Sequence, residues 1–224
     1  MNEKLIVNSH SLTAYLNNNN MEESSSTTFE NMTSETDYTQ KELTTIIISA
    51  IASNLNEIIA ENSQNFPSVY IRRDIFYMPQ IPMISLEDYL SHIMKFSKME
   101  LPTLILAIIY LDKMCEFRKY ILSYQNIHRL LLAACLLSVK FNEDISFNNR
   151  IFAKIGGVSV EVLNILEFEF YVLLNFSLFV DDLYYQEYYM YFTKCLKHRK
   201  KEYTSNKVNS GYSQDDFHVN YKCY

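Results

Sequence analysis

Glycine is nearly missing from this chain of 224 residues: only Gly156, Gly157 and Gly211 occur. Loops that cradle a phosphate or dinucleotide need several glycines to bring backbone amides close to the ligand, so the sequence argues against nucleotide binding. Tryptophan is absent, and all four prolines, Pro67, Pro79, Pro82 and Pro102, fall in one stretch. Proline removes a helix hydrogen bond and clashes with the preceding turn, so beyond Thr103 nothing of that kind interrupts a helix. Cys115, Cys135, Cys195 and Cys223 form no C-x-x-C pair, and no basic-then-apolar leader precedes them. Reduced thiols in the cytoplasm or nucleus are therefore expected. The longest apolar run, Leu104 to Leu111, is far below the roughly 20 residues that span a bilayer, and no membrane segment is expected.

Catalytic and metal-binding patterns are equally sparse. His10, His92, His128, His198 and His218 are scattered, no Cys/His cluster has metal spacing, and no G-x-S-x-G nucleophile turn occurs. The expectation is a protein that is not an enzyme and carries no metal or cofactor. His128, within N-I-H-R, reads as a structural residue at a helix start. The formal charge is -6, and residues 41–196 carry thirteen Lys or Arg against seventeen acids, which speaks against a nucleic-acid surface.

What is present is a helical core between two polar tails. Residues 1–38, rich in Asn, Ser and Thr, lack the apolar content to offset their ordering entropy and are expected to be disordered. Residues 39–84 read as an N-terminal helix and connector. Thr39 and Glu42 form a T-x-x-E capping box ahead of a stripe of Leu43, Ile46, Ile47, Ala50, Ile51, Leu55, Ile58 and Ile59. Ser85 with Asp88 caps a second helix (Leu86, Tyr89, Leu90, Ile93), and a third starts near Pro102 and runs to about Arg118. That helix and a fourth, over about 125–141, are apolar almost all round and must be central. A short fifth helix from near Ser146 ends at Gly156-Gly157, Ser159 caps a sixth reaching about Leu174, and a tyrosine-rich helix starts at Asp182. Residues 85–180 thus form one all-α helical domain, 181–200 a C-terminal helix with a basic cluster at His198 to Lys201, and 201–224 a polar tail.

The informative residues are charges on apolar stripes. Glu167 shares a face with Leu163, Leu166, Phe170, Tyr171 and Leu174; Lys140 lines up with Ala133, Leu136 and Leu137; Asp112 sits with Ile105, Ile108 and Ile109. Removing such charges from water costs several kcal/mol unless they are paired. An internal Lys140–Glu167 pair would answer this, with Lys140 also offsetting the dipole at its helix end. A partner chain would answer it equally, and periodicity alone favours the internal pair.

The segments I-S-L-E-D-Y-L (84–90), I-Y-L-D-K (109–113), N-I-H-R-L-L (126–131), L-L-S-V-K-F-N-E-D (136–144), N-N-R-I-F-A-K-I-G-G (148–157) and L-N-I-L-E-F-E-F (163–170) together resemble the cyclins. Within that family the likeness is to the P-type (U-type) cyclins of plants and protists, relatives of the yeast phosphate-pathway cyclin. The resemblance implies a five-helix cyclin box with one helix before it and one after. It implies a regulatory subunit that forms a heterodimer with a cyclin-dependent protein kinase and activates it by packing against its mobile regulatory helix. Lys140 and Glu167 fall on the family lysine and glutamate that hold the kinase backbone, and the implied contact surface extends to Phe141, Asn142, Ile151 and Ile155, and to Ile46 through Ile59 of the N-terminal helix. With the resemblance, the partner reading of Lys140 and Glu167 becomes the favoured one. Cyclins usually pair the aspartate matching Asp112 with an arginine, and this chain offers His92 instead, which implies a His92–Asp112 charge pair. The mitotic M-R-A-I-L docking motif is absent. Two alternatives remain open: a helical adaptor that binds a kinase without activating it, and a transcription-factor-type cyclin fold.

Overall fold

The computed structural model describes residues 39–67, 70–71, 73–144 and 148–192. Among them are seven helices and no strand. We label them α1 (Gln40–Asn65), α2 (Leu86–Ser97), α3 (Leu101–Arg118), α4 (Ile127–Asn142), α5 (Asn149–Gly156), α6 (Val160–Leu173) and α7 (residues 182–192).

Local chemistry sets most of the helix starts. Thr39 Oγ1 accepts from the Glu42 amide at 3.3 Å while the Thr39 amide donates to Glu42 Oε2 at 2.9 Å, which completes the capping box. Ser85 Oγ accepts from the Asp88 amide at 3.0 Å, and Ser159 Oγ from the Val162 amide at 3.3 Å. α5 starts later than the sequence suggested. Its cap is Asn148, whose Oδ1 accepts from the Ile151 amide at 3.1 Å; Ser146 lies outside the described residues, as do residues 1–38 and the chain beyond Phe192. α3 has no cap of its own side chain; Glu143, just past α4, reaches across so that the Glu100 amide donates to its Oε1 at 3.0 Å.

α4 is the axis. Every residue from Ile127 to Val139 except Arg129 is buried, and α3 and α6 pack along it, with α2 closing a further side. α1 lies on α2, and α5 bridges α2 and α6. α7 docks through Tyr188 and Phe192, both fully buried, and through Tyr191, whose hydroxyl accepts from Asn54 Nδ2 of α1 at 3.0 Å. By length and composition α1 would suit a membrane, with a mean hydropathy of 1.5 over its most apolar stretch. Here Ile47, Ile51, Leu55 and Ile59 are instead fully buried in the core. For the same reason the expectation that Ile46 to Ile59 face a partner is corrected: most of that stripe is already covered by the chain itself.

Gly157 carries the left-handed stop of α5 at φ 68. Gly156 has a different role, because a Cβ there would lie 2.3 Å from Leu132 Cδ2, on the central helix. Leu132 is fully buried, and its side chain must shift to admit the methyl group. Gly156→Ala is expected to cost about 1–3 kcal/mol of stability by overpacking, read as a lowered urea midpoint; an unchanged midpoint would mean that Leu132 repacks freely.

His128 ties the connector to α4. Its Nε2 lies 3.2 Å from the Ile84 carbonyl, its ring meets Tyr89 edge-on at 5.1 Å, and its Nδ1 is buried without a partner. Burial holds its pKa below the ordinary 6.5, against the opposing pull of the Ile84 carbonyl. The folded chain therefore resists a proton that the unfolded chain accepts near pH 6.5. Stability from this group is complete above that pH and declines as pH falls towards the lower folded value. Melting temperature should drop between pH 7 and 5, and His128→Gln, which retains a donor for Ile84, should flatten that slope. An equally steep slope in the variant would assign the acid sensitivity to carboxylates.

Candidate functional site

α4 is covered almost everywhere except at its C-terminal end, where Lys140 and Phe141 emerge. There Lys140 Nζ meets Glu167 Oε1 of α6 at 2.6 Å, with the two side chains 32% and 20% exposed. The sequence places both charges on apolar stripes; the structure brings them together at the rim of those stripes rather than inside. Leu163, Leu166 and Phe170 of α6 are fully buried, and Glu167 stands just beside them. An ion pair this accessible contributes at most about 1 kcal/mol to the isolated fold.

The pair sits in an open groove of about 410 Å³. Its apolar wall comes from Leu137 and Phe141 of α4, Phe168 and Tyr171 of α6, and Leu178 beyond, with Asn164 as a further polar group. Phe141 is 59% and Phe168 58% exposed, and Tyr171 is steadied by an edge-on contact with Phe176 at 4.9 Å. Large aromatic side chains left in water around an ion pair mark a surface suited to a partner. Ile151 of α5 is also exposed, whereas Ile155 is half-buried against the core.

Asn142 is exposed, and its Nδ2 donates to the Ser138 carbonyl at 2.8 Å and to the Tyr110 hydroxyl at 3.4 Å. It fastens the last turn of α4. Tyr171, Phe168, Leu178 and Asn164 did not stand out as site residues in the sequence. The one signal was Asn164, a helix-disfavouring amide in mid-helix. Asn149 was also missed; its Nδ2 lies 2.7 Å from both Glu167 Oε2 and Asn164 Oδ1.

The His92–Asp112 pair expected from the sequence is not formed among the described residues. Asp112 is buried and accepts a hydrogen bond from the Tyr188 hydroxyl of α7. His92 lies half-buried on α2 with its ring against Phe96, one turn on, at a centroid distance of 4.6 Å. Burial, and then the Asp112 charge, push the Tyr188 phenol far above its ordinary pKa, so it stays a donor. The buried Cys115 thiol is raised by burial and then by the same carboxylate. No group of three or more His, Cys, Asp or Glu that could hold a metal occurs among the described residues.

An all-helical domain wrapped on one central helix, with a lysine–glutamate pair in an apolar groove at that helix's end, defines the architecture. A sequence profile described as Cyclin matches residues 5–178. The chain belongs to the cyclin family. It is similar to Cyclin-U2-1 of Arabidopsis thaliana, at 30% identity over 64% of this chain and 66% of that protein. It is 36% identical to Cyclin-P4-1 of Oryza sativa subsp. japonica, over 48% of this chain and 51% of the relative. It is likewise 36% identical to the PHO85 cyclin-like protein psl1 of Schizosaccharomyces pombe, over 47% of this chain and 44% of the relative. The chain thus spans just under two thirds of the Arabidopsis relative and about half of the other two.

Tyr188→Phe leaves a buried carboxylate short of a donor and should cost about 1–3 kcal/mol of stability. His92→Ala removes only a surface ring contact and should stay within about 0.5 kcal/mol. Urea unfolding of both variants checks this, and the reverse ranking would restore His92 as the partner of Asp112.

Proposed function

We propose that this chain is a regulatory subunit that binds a cyclin-dependent protein kinase through the Lys140–Glu167 groove and switches it on. The supporting observation is the setting of that pair: two charges among exposed aromatics, at the one end of the central helix that the described residues leave uncovered. A protein kinase is competent only when a strand lysine is paired with a glutamate on its regulatory helix. A rigid helical face that binds the paired arrangement more tightly shifts the population towards it. Lys140 would hold a backbone carbonyl of the partner and Glu167 a backbone amide, fixing register, while Leu137, Phe141, Phe168, Tyr171 and Leu178 supply the apolar contact. Membership in the cyclin family supports a kinase partner, and the name of the fission-yeast relative points to a kinase of the PHO85 type.

Lys140→Ala and Glu167→Ala separate the interface from a merely internal brace. Because the pair is accessible in the free chain, either change should leave the circular dichroism melt within a few degrees. Loss of a desolvated interfacial charge should instead weaken kinase binding by about 2–5 kcal/mol, with activation falling in parallel. Full binding by both folded variants would remove the groove from the interface. Full binding without a rise in kinase activity in the wild-type chain would make it an adaptor rather than an activator.

A further inference from the structure

We propose that Asn149 is the positioning residue that aims Glu167 at the kinase, an inference that rests on the groove reading above. A glutamate held at one oxygen can still turn its carboxylate about the last side-chain bond. Here both oxygens are held: Lys140 Nζ takes Oε1 at 2.6 Å, and Asn149 Nδ2 donates to Oε2 at 2.7 Å. The same amide nitrogen lies 2.7 Å from Asn164 Oδ1, one turn before Glu167 on α6. Its two hydrogens are thus each assigned an acceptor. The carboxylate also fixes which way the amide faces, because turning Asn149 over would place oxygen against oxygen at Glu167.

The residue type fits the task. A lysine or arginine at this place would be a second cation on one carboxylate and would compete for the lone pairs that a partner amide must reach. An aspartate would repel it. A neutral amide orients Glu167 while leaving its charge balanced by Lys140 alone. Asn149 is the first residue of α5, and the preceding Asn148 caps that helix through the Ile151 amide. The clamp therefore fixes the exposed Ile151 relative to the ion pair, so that polar and apolar contacts are presented as one preorganised surface.

The test titrates a purified PHO85-type cyclin-dependent kinase with wild-type chain, Asn149→Ala, Asn149→Asp, Glu167→Ala and the Asn149→Ala/Glu167→Ala double variant, with a melt of each. Asn149→Ala should weaken binding roughly 10- to 100-fold, the range for a hydrogen bond to a charged group. The double variant should bind no worse than Glu167→Ala alone, since Asn149 acts through that carboxylate. Asn149→Asp is decisive against a purely structural role. An acid in the first turn favours the helix, so α5 should hold, yet binding should fall at least as far as in the alanine variant. If Glu167→Ala weakens binding and both Asn149 variants bind normally, the positioning role is overturned and the groove reading stands. Additive losses would give Asn149 an independent role and overturn it as well. If neither Glu167→Ala nor Asn149→Ala weakens binding, or the wild-type chain does not bind, the groove reading falls and this inference with it.

Discussion

The burial of α4 constrains everything else. A helix that is apolar on almost every side from Ile127 to Val139 cannot remain in water, so α2, α3 and α6 must surround it. Once they do, little of it is left to meet another molecule. Its C-terminal end is the exception, and there the sequence changes from Leu136, Leu137, Ser138 and Val139 to Lys140 and Phe141. The groove lies where the described helices stop wrapping α4 and leave Lys140 and Phe141 at the surface.

That end is held firmly for a surface position. Asn142 bonds back to the Ser138 carbonyl, and Glu143 takes the Glu100 amide at the start of α3. The end of one central helix thereby caps the start of the other. The left-handed stop at Gly157 and the close approach of Gly156 to Leu132 seat α5 against the same core, which carries Asn149 to Glu167. A partner would meet little that must first be ordered, which favours tight association for a given contact area.

Helix starts were legible in the sequence wherever the signal was local. Thr39 with Glu42, Ser85 with Asp88, and Ser159 each act within three residues of themselves. Lys140 and Glu167 were legible because a charge on an apolar stripe is unusual. Asn149 and Asn164 were not, since neutral amides on half-covered helix faces are common and only the crossing of α5 over α6 gives them meaning. The partner of Asp112 was hidden for a related reason. The sequence shows that a buried carboxylate needs a donor, but α7 carries Tyr184, Tyr185, Tyr188, Tyr189 and Tyr191. Only the docking of that helix brings the Tyr188 hydroxyl to Asp112.

The polar ties of this fold differ in how readily they could be exchanged. Arg118 donates to the carbonyls of Val172 and Leu173, Lys113 to Phe179, and Arg129 to Ile75. Each of these cations closes a helix end or a connector, and withdrawing it would return backbone carbonyls to water or leave them without a donor. The Tyr188–Asp112 bond is buried still more deeply. Lys140–Glu167 differs, because it joins two side chains that water already reaches and that leave no backbone group unsatisfied on separating. Solvent screening makes its opening cheap, and both partners are charged, so both gain from a desolvated backbone dipole offered by an incoming chain. Among the ties of charged side chains between helices in the described residues, this pair is suited to hold its geometry in the free chain and to take up new partners in a complex.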